Sequence, residues 1–466
     1  MQKKPAIISD LLEKISSRKV KFSPEWFTMV CIEPFLIVPI LMAVLAMQHR
    51  NIDYTVVTHP FLIQKLAFPI AETAAVLAIA LALWHRRKDW RAIPRSNPVF
   101  VLFLFCMVWM LISTCVNGWT ECALHGFTPM EETIWMQLGY FVLFFAAALL
   151  RDRSVKEAFF QFHVLGSFVL MAAAFVLWHT QTESQLFYDW SPRFSSIYTH
   201  FNYYGYYLSL TIPLAAAAFV EEKSRIWQGI YAAAVAANAV ALVIDDTSGA
   251  WLACIAALIF LLATHFILER KVNFKVLGIV AVFLVFFIAT GLSNGLLVKN
   301  SSTLVSDVSA IAAAAGTSDQ AENADQAENA NRVENANRAG TGRWGIWKTT
   351  VSYIKENPVF GIGMEGIYQN QLSGVFHTSR PHNEYLQYAL FYGIPVSAAY
   401  TAGCFGVYLR ALRRKGELDP YGHIALTAAF GYLISAFFGN TLFCTTPLFF
   451  LFLGIGYGGI PLMEKK

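Results

Sequence analysis

The chain is 466 residues long, 56% hydrophobic and 15% aromatic, with only 14% charged, against about 25% in a soluble domain. That balance excludes an ordinary soluble enzyme and leaves an all-α polytopic membrane protein. The net charge of +4 gives no indication of a nucleic-acid partner, because basic residues in such chains mostly set orientation.

The first 24 residues are polar and basic, with no apolar stretch closing on a small-residue cleavage site, so no signal peptide is expected and the segment reads as a cytoplasmic N-terminus. Windows of about 18 or more apolar residues, the length that crosses a hydrocarbon core, can be placed about twelve times. They fall near 27–48, 67–85, 98–117, 132–150, 157–178, 203–220, 226–244, 249–268, 274–292, 385–409, 422–440 and 443–462. The chain thus divides into a bundle of about nine spans over 25–292, a long polar loop over 293–384, and about three spans over 385–466.

Orientation follows from the basic residues. With the N-terminus inside, about two dozen Lys and Arg fall on inner loops and about ten outside. Both termini are then cytoplasmic, and the outer segments are 118–131, 179–202, 245–248 and 293–384. Arg193, Arg343 and Arg380 lie outside, against this trend, so orientation does not account for them. The seven cysteines are scattered with no C-x-x-C or His/Cys spacing, which reads as small buried hydrophobes rather than disulfides or a metal site.

In the segment before the 203–220 span, Arg193 is followed by Ser195, Ser196, Tyr198, His200 and Asn202, then by Tyr203, Tyr204, Tyr206 and Tyr207. The tyrosines suit a belt at the membrane interface better than a wall for stacking sugars. Asp245 and Asp246 form an acidic pair at an outer boundary; they would hold Mg²⁺ or simply cap a short turn with Thr247 and Ser248. Glu33 and Glu72 lie within apolar runs, where a carboxylate is costly, and bonding inside the bundle is the simpler account.

In the long loop, residues 319–336 repeat with a six-residue period beginning Asp319, Gln320, Ala321, Glu322, Asn323, Ala324. So polar a tract buries too little surface to offset its ordering entropy, and reads as a flexible insertion without catalytic role. The pattern changes at Arg343. Trp344, Trp347, Val351 and Ile354 recur at helical spacing until Asn357 and Pro358, predicting a short amphipathic helix over 343–356. It lies flat at the interface or packs on the ends of the bundle. Gly361, Gly363 and Gly366 make a turn too irregular for a nucleotide loop.

Arg380, Pro381, His382, Asn383 and Glu384 then stand at the lip of the next apolar window. An imidazole near its ordinary pKa of about 6.5 accepts a proton from a hydroxyl at neutral pH; the plainer alternative is a histidine bonding loop backbone. Asn383 suits a helix cap. An arginine forks two donors onto phosphate oxygens, and two or three converging from separate loops would hold a diphosphate as it leaves.

These residues, in this order, resemble the O-antigen ligase and O-antigen polymerase family of bacterial membrane glycosyltransferases. The resemblance covers roughly residues 190–410 and rests on four stretches. They are Arg193 to Asn202; the small-residue turn Thr247, Ser248, Gly249, Ala250, Trp251; Gly342, Arg343 and Trp347 leading to Asn357, Pro358, Phe360, Gly361 and Gly363; and His382, Asn383 and Leu386 with Gly393, Ile394 and Pro395. The last two are the more specific. Many members carry an arginine between the serine and glycine of the small-residue turn; here Gly249 follows Ser248 directly, so that role is absent or taken over by Arg380. Phe201 stands where a proline commonly precedes the asparagine.

The resemblance implies a polyprenyl-diphosphate-linked glycan donor, a glycan, lipid or protein acceptor, and surrounding membrane lipids as partners, with no cofactor, metal or nucleic acid. His382, Arg343 and Arg193 would be catalytic, and Arg380, Asn202, Asn383 and Trp347 would bind substrate. Transfer to an acceptor hydroxyl would occur at the outer face of the cytoplasmic membrane with inversion, during surface polysaccharide assembly. A lipid-linked glycan flippase is the competing reading; it predicts charges at mid-membrane and a half-to-half repeat, and neither is visible.

Overall fold

The computed structural model describes residues 34–48, 97–126, 132–180, 194–198, 201–269, 273–316, 337, 339–340, 342–364 and 380–460, with scattered helical positions between 69 and 80. Every regular element among them is helical. In chain order these are α1 (Pro34–Gln48), α2 (Pro98–Asn117), α3 (Glu121–His125), α4 (Ile134–Ala148), α5 (Arg153–Thr180), α6 (Phe201–Glu221), α7 (Arg225–Asp245) and α8 (Ser248–Glu269). There follow α9 (Phe274–Ser293), α10 (Leu296–Gly316), α11 (Arg343–Glu356), α12 (Glu384–Tyr392), α13 (Ile394–Arg413), α14 (Pro420–Ser435) and α15 (Thr446–Gly458).

Local chemistry sets several of these ends. Thr133 opens α4 by accepting from the Met136 amide at 3.2 Å, and Asp419 opens α14 by accepting from Gly422. Proline stands in the first turn of α2, α13, α14 and α15, where its missing N–H is not needed.

Five described helices are long and apolar enough to cross a membrane: Pro98–Asn117, Arg153–His179, Arg225–Asp245, Ser248–Ile267 and Phe274–Ser293. Ile134–Ala148 and Thr446–Gly458 are shorter apolar helices. The outer helices turn large apolar side chains outward. Val101, Leu104, Val108 and Ile112 of α2 and Leu284, Val285, Phe286 and Ile288 of α9 are all exposed. On a water-soluble protein such faces would be sticky; against lipid they are the expected surface. The protein is a helical, polytopic membrane protein.

At the centre lies α6, buried over most of its length and packed against α5, α7, α8, α9 and α14. A Cβ on Gly431 of α14 would strike the Ser209 carbonyl of α6, and α15 presents Gly454 and Gly458, four apart, to Phe144, Ala147 and Ala148 of α4. Small residues at that spacing bring two helices close enough for backbone contact, which drives association where no hydrophobic gain is available.

Two features of the apolar windows differ from the sequence reading. The 385–409 window is two helices, broken at Gly393, whose φ of +91° suits glycine alone. The loop 293–384 opens with a helix, α10, which packs against α9. The repeat over 319–336 lies outside the described residues, as do Glu33 and Arg193.

Candidate functional site

The site gathers at the end of the bundle where α6 and α12 begin. The amide of His382 donates to Asn440 Oδ1 at 2.8 Å, and the indole of Trp347 donates to the Pro381 carbonyl at 3.0 Å. Trp347 lies one turn after Arg343 on α11, so the guanidinium rises from the helix that braces the His382 loop. Arg343 is also close enough to Tyr206 of α6 to interact with its hydroxyl electrostatically. That hydroxyl donates to the Phe438 carbonyl at 2.9 Å, two residues before Asn440. Arg343, Trp347, Tyr206 and His382 therefore share one neighbourhood, closed by the turn 436–445.

His382 itself has φ +49°, a left-handed conformation that strains a non-glycine residue by roughly 1–3 kcal/mol. Contacts on both sides hold it there. Pro381 and Asn383 are buried, and Asn383 Oδ1 accepts from the Leu386 amide at 3.0 Å, capping α12.

Arg380 is placed differently. It is 5% exposed and its Nη1 donates to Glu132 Oε2 at 2.6 Å and to the Thr441 carbonyl at 2.9 Å. Glu132, 1% exposed, also accepts from Thr441 Oγ1 at 2.7 Å, from Gln137 at 3.3 Å and from the Tyr140 hydroxyl. Gln137 accepts from Tyr392, and Gln387 donates to Thr441. This network ties α4, α12 and the 436–445 turn together beneath the His382 loop. Arg343, by contrast, has no carboxylate partner within ion-pair distance among the described residues.

Asn202 is buried in the first turn of α6. Of the tyrosines after it, Tyr204, Tyr206 and Tyr207 are buried rather than set at an interface, and Tyr204 and Tyr207 stack with each other and with Tyr198 at 5.6 to 6.2 Å. Asp245 and Asp246 diverge. Asp246 takes the left-handed position after α7 and accepts from Lys299 at 3.0 Å and Asn300 at 2.7 Å, whereas buried Asp245 lies against Gly205 of α6. Adjacent in sequence, they do not point at a common centre.

The glycine turn supports the site without touching its chemistry. Ile362 and Gly363 donate to the Leu390 and Phe391 carbonyls at 2.8 and 3.1 Å, and Ile394 donates to the Pro358 carbonyl at 2.8 Å. Side chains on Gly361 or Gly393 would run into the carbonyls of Leu390 and Val359. From α2, Trp109, Ser113 and Asn117 reach the carbonyls of Val359 and Phe360. Two distant stretches, Asn357 to Gly363 and Gly393 to Pro395, are thus one structural unit.

The fold defines a multi-helix membrane protein whose polar groups gather at one end of the bundle. Residues 233–401 match the family model described as O-antigen ligase, a stretch that includes Asp245, Arg343, Arg380 and His382. The match supports the O-antigen ligase and polymerase family and points to a glycosyltransferase-like enzyme in a membrane. No curated protein matches the chain.

Sequence reasoning did not single out Glu132, Asn440 or Thr441, and it read Tyr206 as part of an interface belt. Glu132 left no local signal, because its partner is 248 positions away. Asn440 and Thr441 stood at the edges of apolar windows and read as boundary residues.

Proposed function

We propose that the protein is a membrane glycosyltransferase of the O-antigen ligase or polymerase type. It moves a glycan from a polyprenyl-diphosphate carrier to an acceptor hydroxyl at the outer face of the cytoplasmic membrane. The observation that carries this reading is the hydrogen bond from Trp347, one turn along α11 from Arg343, to the Pro381 carbonyl beside His382.

In the proposed step His382 accepts the acceptor's hydroxyl proton as that oxygen attacks the anomeric carbon. The bond from that carbon to the diphosphate oxygen breaks, and its electron pair leaves with the lipid diphosphate. One displacement inverts the anomeric centre. Arg343 stabilises the charge that develops on the leaving oxygens, a task suited to a guanidinium, which forks two donors onto phosphate oxygens. Arg193 would add a second guanidinium from the loop before α6. The Trp347 ring offers a face to a sugar, its N–H being occupied by Pro381. Arg380 and Asn383 act through position: one is held by Glu132 beneath the loop, the other caps α12.

The test is transfer by purified protein supplied with a lipid-diphosphate glycan and candidate acceptors, with chain lengthening scored against single attachment. Replacing His382 by Ala should slow transfer about 10²–10⁴-fold, the range for losing a general base. Replacing Arg343 by Ala should slow it about 10²–10³-fold, as for losing a donor to developing charge. Transfer at the wild-type rate in both variants, with normal protein level, would remove the reading and leave the flippase alternative.

A further inference from the structure

A second cluster lies at the opposite end of α6. Glu221 closes that helix, His265 lies in the last turns of α8, and His423 lies in the first turn of α14. One donor atom from each falls within 4.8 Å of the others. Glu221 Oε1 is 3.1 Å from His423 Nδ1 and 3.7 Å from His265 Nε2. The two imidazoles cross nearly edge to face, with centroids 4.8 Å apart. Fifteen residues of helix separate Glu221 from Tyr206, about 22 Å at 1.5 Å per residue, so this cluster has no part in the site around His382.

The hydrogen-bond pattern sets the direction of the lone pairs. Thr264 Oγ1 lies 2.9 Å from the Phe260 carbonyl and 3.1 Å from the Leu261 carbonyl, either of which can take its hydrogen. The same oxygen lies 3.0 Å from His423 Nε2. With its hydrogen directed to the backbone, Thr264 accepts from Nε2–H. The lone pair of His423 Nδ1 then faces the carboxylate oxygen of Glu221 at 3.1 Å. Two acceptors facing each other at that distance repel unless a positive centre stands between them.

A metal ion bound by one imidazole nitrogen, with its other nitrogen donating to an oxygen, is the usual arrangement at protein metal sites. Ligand bonds of about 2.0–2.2 Å in a tetrahedron place donor atoms roughly 3.3 Å apart. The two separations from Glu221 Oε1, 3.1 and 3.7 Å, lie close to that, and the two imidazole nitrogens are within 4.8 Å of each other. Both imidazoles are 6% exposed but Glu221 is 25% exposed, which leaves a route for an ion and a water to arrive from one side.

We propose that Glu221, His265 and His423 bind one divalent first-row transition-metal ion, zinc by donor type, with water as fourth ligand. Two imidazoles and one carboxylate suit zinc better than magnesium or calcium, which favour oxygen. The ion clamps the ends of α6 and α8 to the start of α14.

The experiment uses the full chain in detergent, purified through a tag free of histidine and stripped with a chelator. Cobalt(II) titration of the wild type should give visible d–d absorption saturating at one equivalent, and X-ray absorption of the zinc form should show two imidazoles among the ligands. His265→Ala and His423→Ala should each abolish the saturating signal. Thr264→Val keeps all three ligands and should weaken affinity about 10–100-fold, as loss of an outer partner does. No saturable uptake by the wild type, no imidazole around its zinc, or uptake unchanged in the variants would overturn the proposal. The cluster would then be a proton-sharing pair in which His423 Nδ1–H donates to Glu221. The wild-type measurements stand even if a variant does not fold, and they do not depend on glycan transfer.

Discussion

Glu132 shows what one buried charge does for the site. Its carboxylate and the Arg380 guanidinium are both almost wholly removed from solvent, so each needs the other. Glu132→Ala should lower the stability of the purified protein by about 3–5 kcal/mol, the range for stranding one half of a buried pair. Glu132→Gln, which keeps an oxygen for Tyr140 and Thr441 and loses only the charge, should fall less. The check is the thermal midpoint in detergent; equal midpoints for wild type and Glu132→Ala would show that the pair holds nothing. His382 and Arg343 stood out in the sequence as candidates, a titratable ring and an outer arginine on a polar stretch between apolar windows, although loop bonding or a surface arginine accounts for each taken alone. Glu132 was not legible, since its meaning comes only from Arg380 arriving beside it.

At the scale of elements, the sequence marks where helices stop more clearly than what the stops are for. Asn357 and Pro358 end α11, and Gly393 separates α12 from α13. That Gly361 and Gly393 serve one docking surface required the fold, because backbone-to-backbone contact leaves no side-chain pattern. Gly393→Ala must adopt φ +91° with a methyl group against the Val359 carbonyl. The strained backbone alone costs roughly 1–3 kcal/mol, so the variant should show a markedly lower yield of monodisperse protein. Gly229→Ala, in open space on α7, should instead gain roughly 0.5–1 kcal/mol of helix stability. Size-exclusion profiles after graded heating separate the two, and similar profiles would contradict the docking role. The sequence reading overlooked α10, although Val298, Val305 and Val308 give it an apolar face. Its serines, neutral in a helix at best, masked that period.

For the whole molecule, the membrane character was legible from composition, because so low a charge fraction has few other homes. The arrangement around α6 was not: its tyrosines read as a boundary belt but instead fill the interior. The insertion at 319–336 sits between two described flanks that meet, the Gly340 amide donating to Asp307 of α10 at 2.9 Å. Replacing 319–336 by a short Gly/Ser linker should therefore leave glycan transfer within about 2-fold of wild type, since the entropy of closing the chain between Asp307 and Gly340 varies only slowly with its length. A loss comparable to that of His382→Ala would assign the repeat a part in the reaction.

The docking of residues 357–364 on the last carbonyls of α12 also bears on how the chain is assembled. Backbone groups left unmatched in lipid cost several kcal/mol each, and α12, at 9 residues, is too short to shelter its own end. Translation delivers the donors Ile362 and Gly363 before the acceptors Leu390 and Phe391, so an upstream segment stands ready when the broken helix emerges. Biogenesis of the final quarter of the protein is in this sense templated by a loop already made, and defects in that loop should surface as failed insertion of everything downstream.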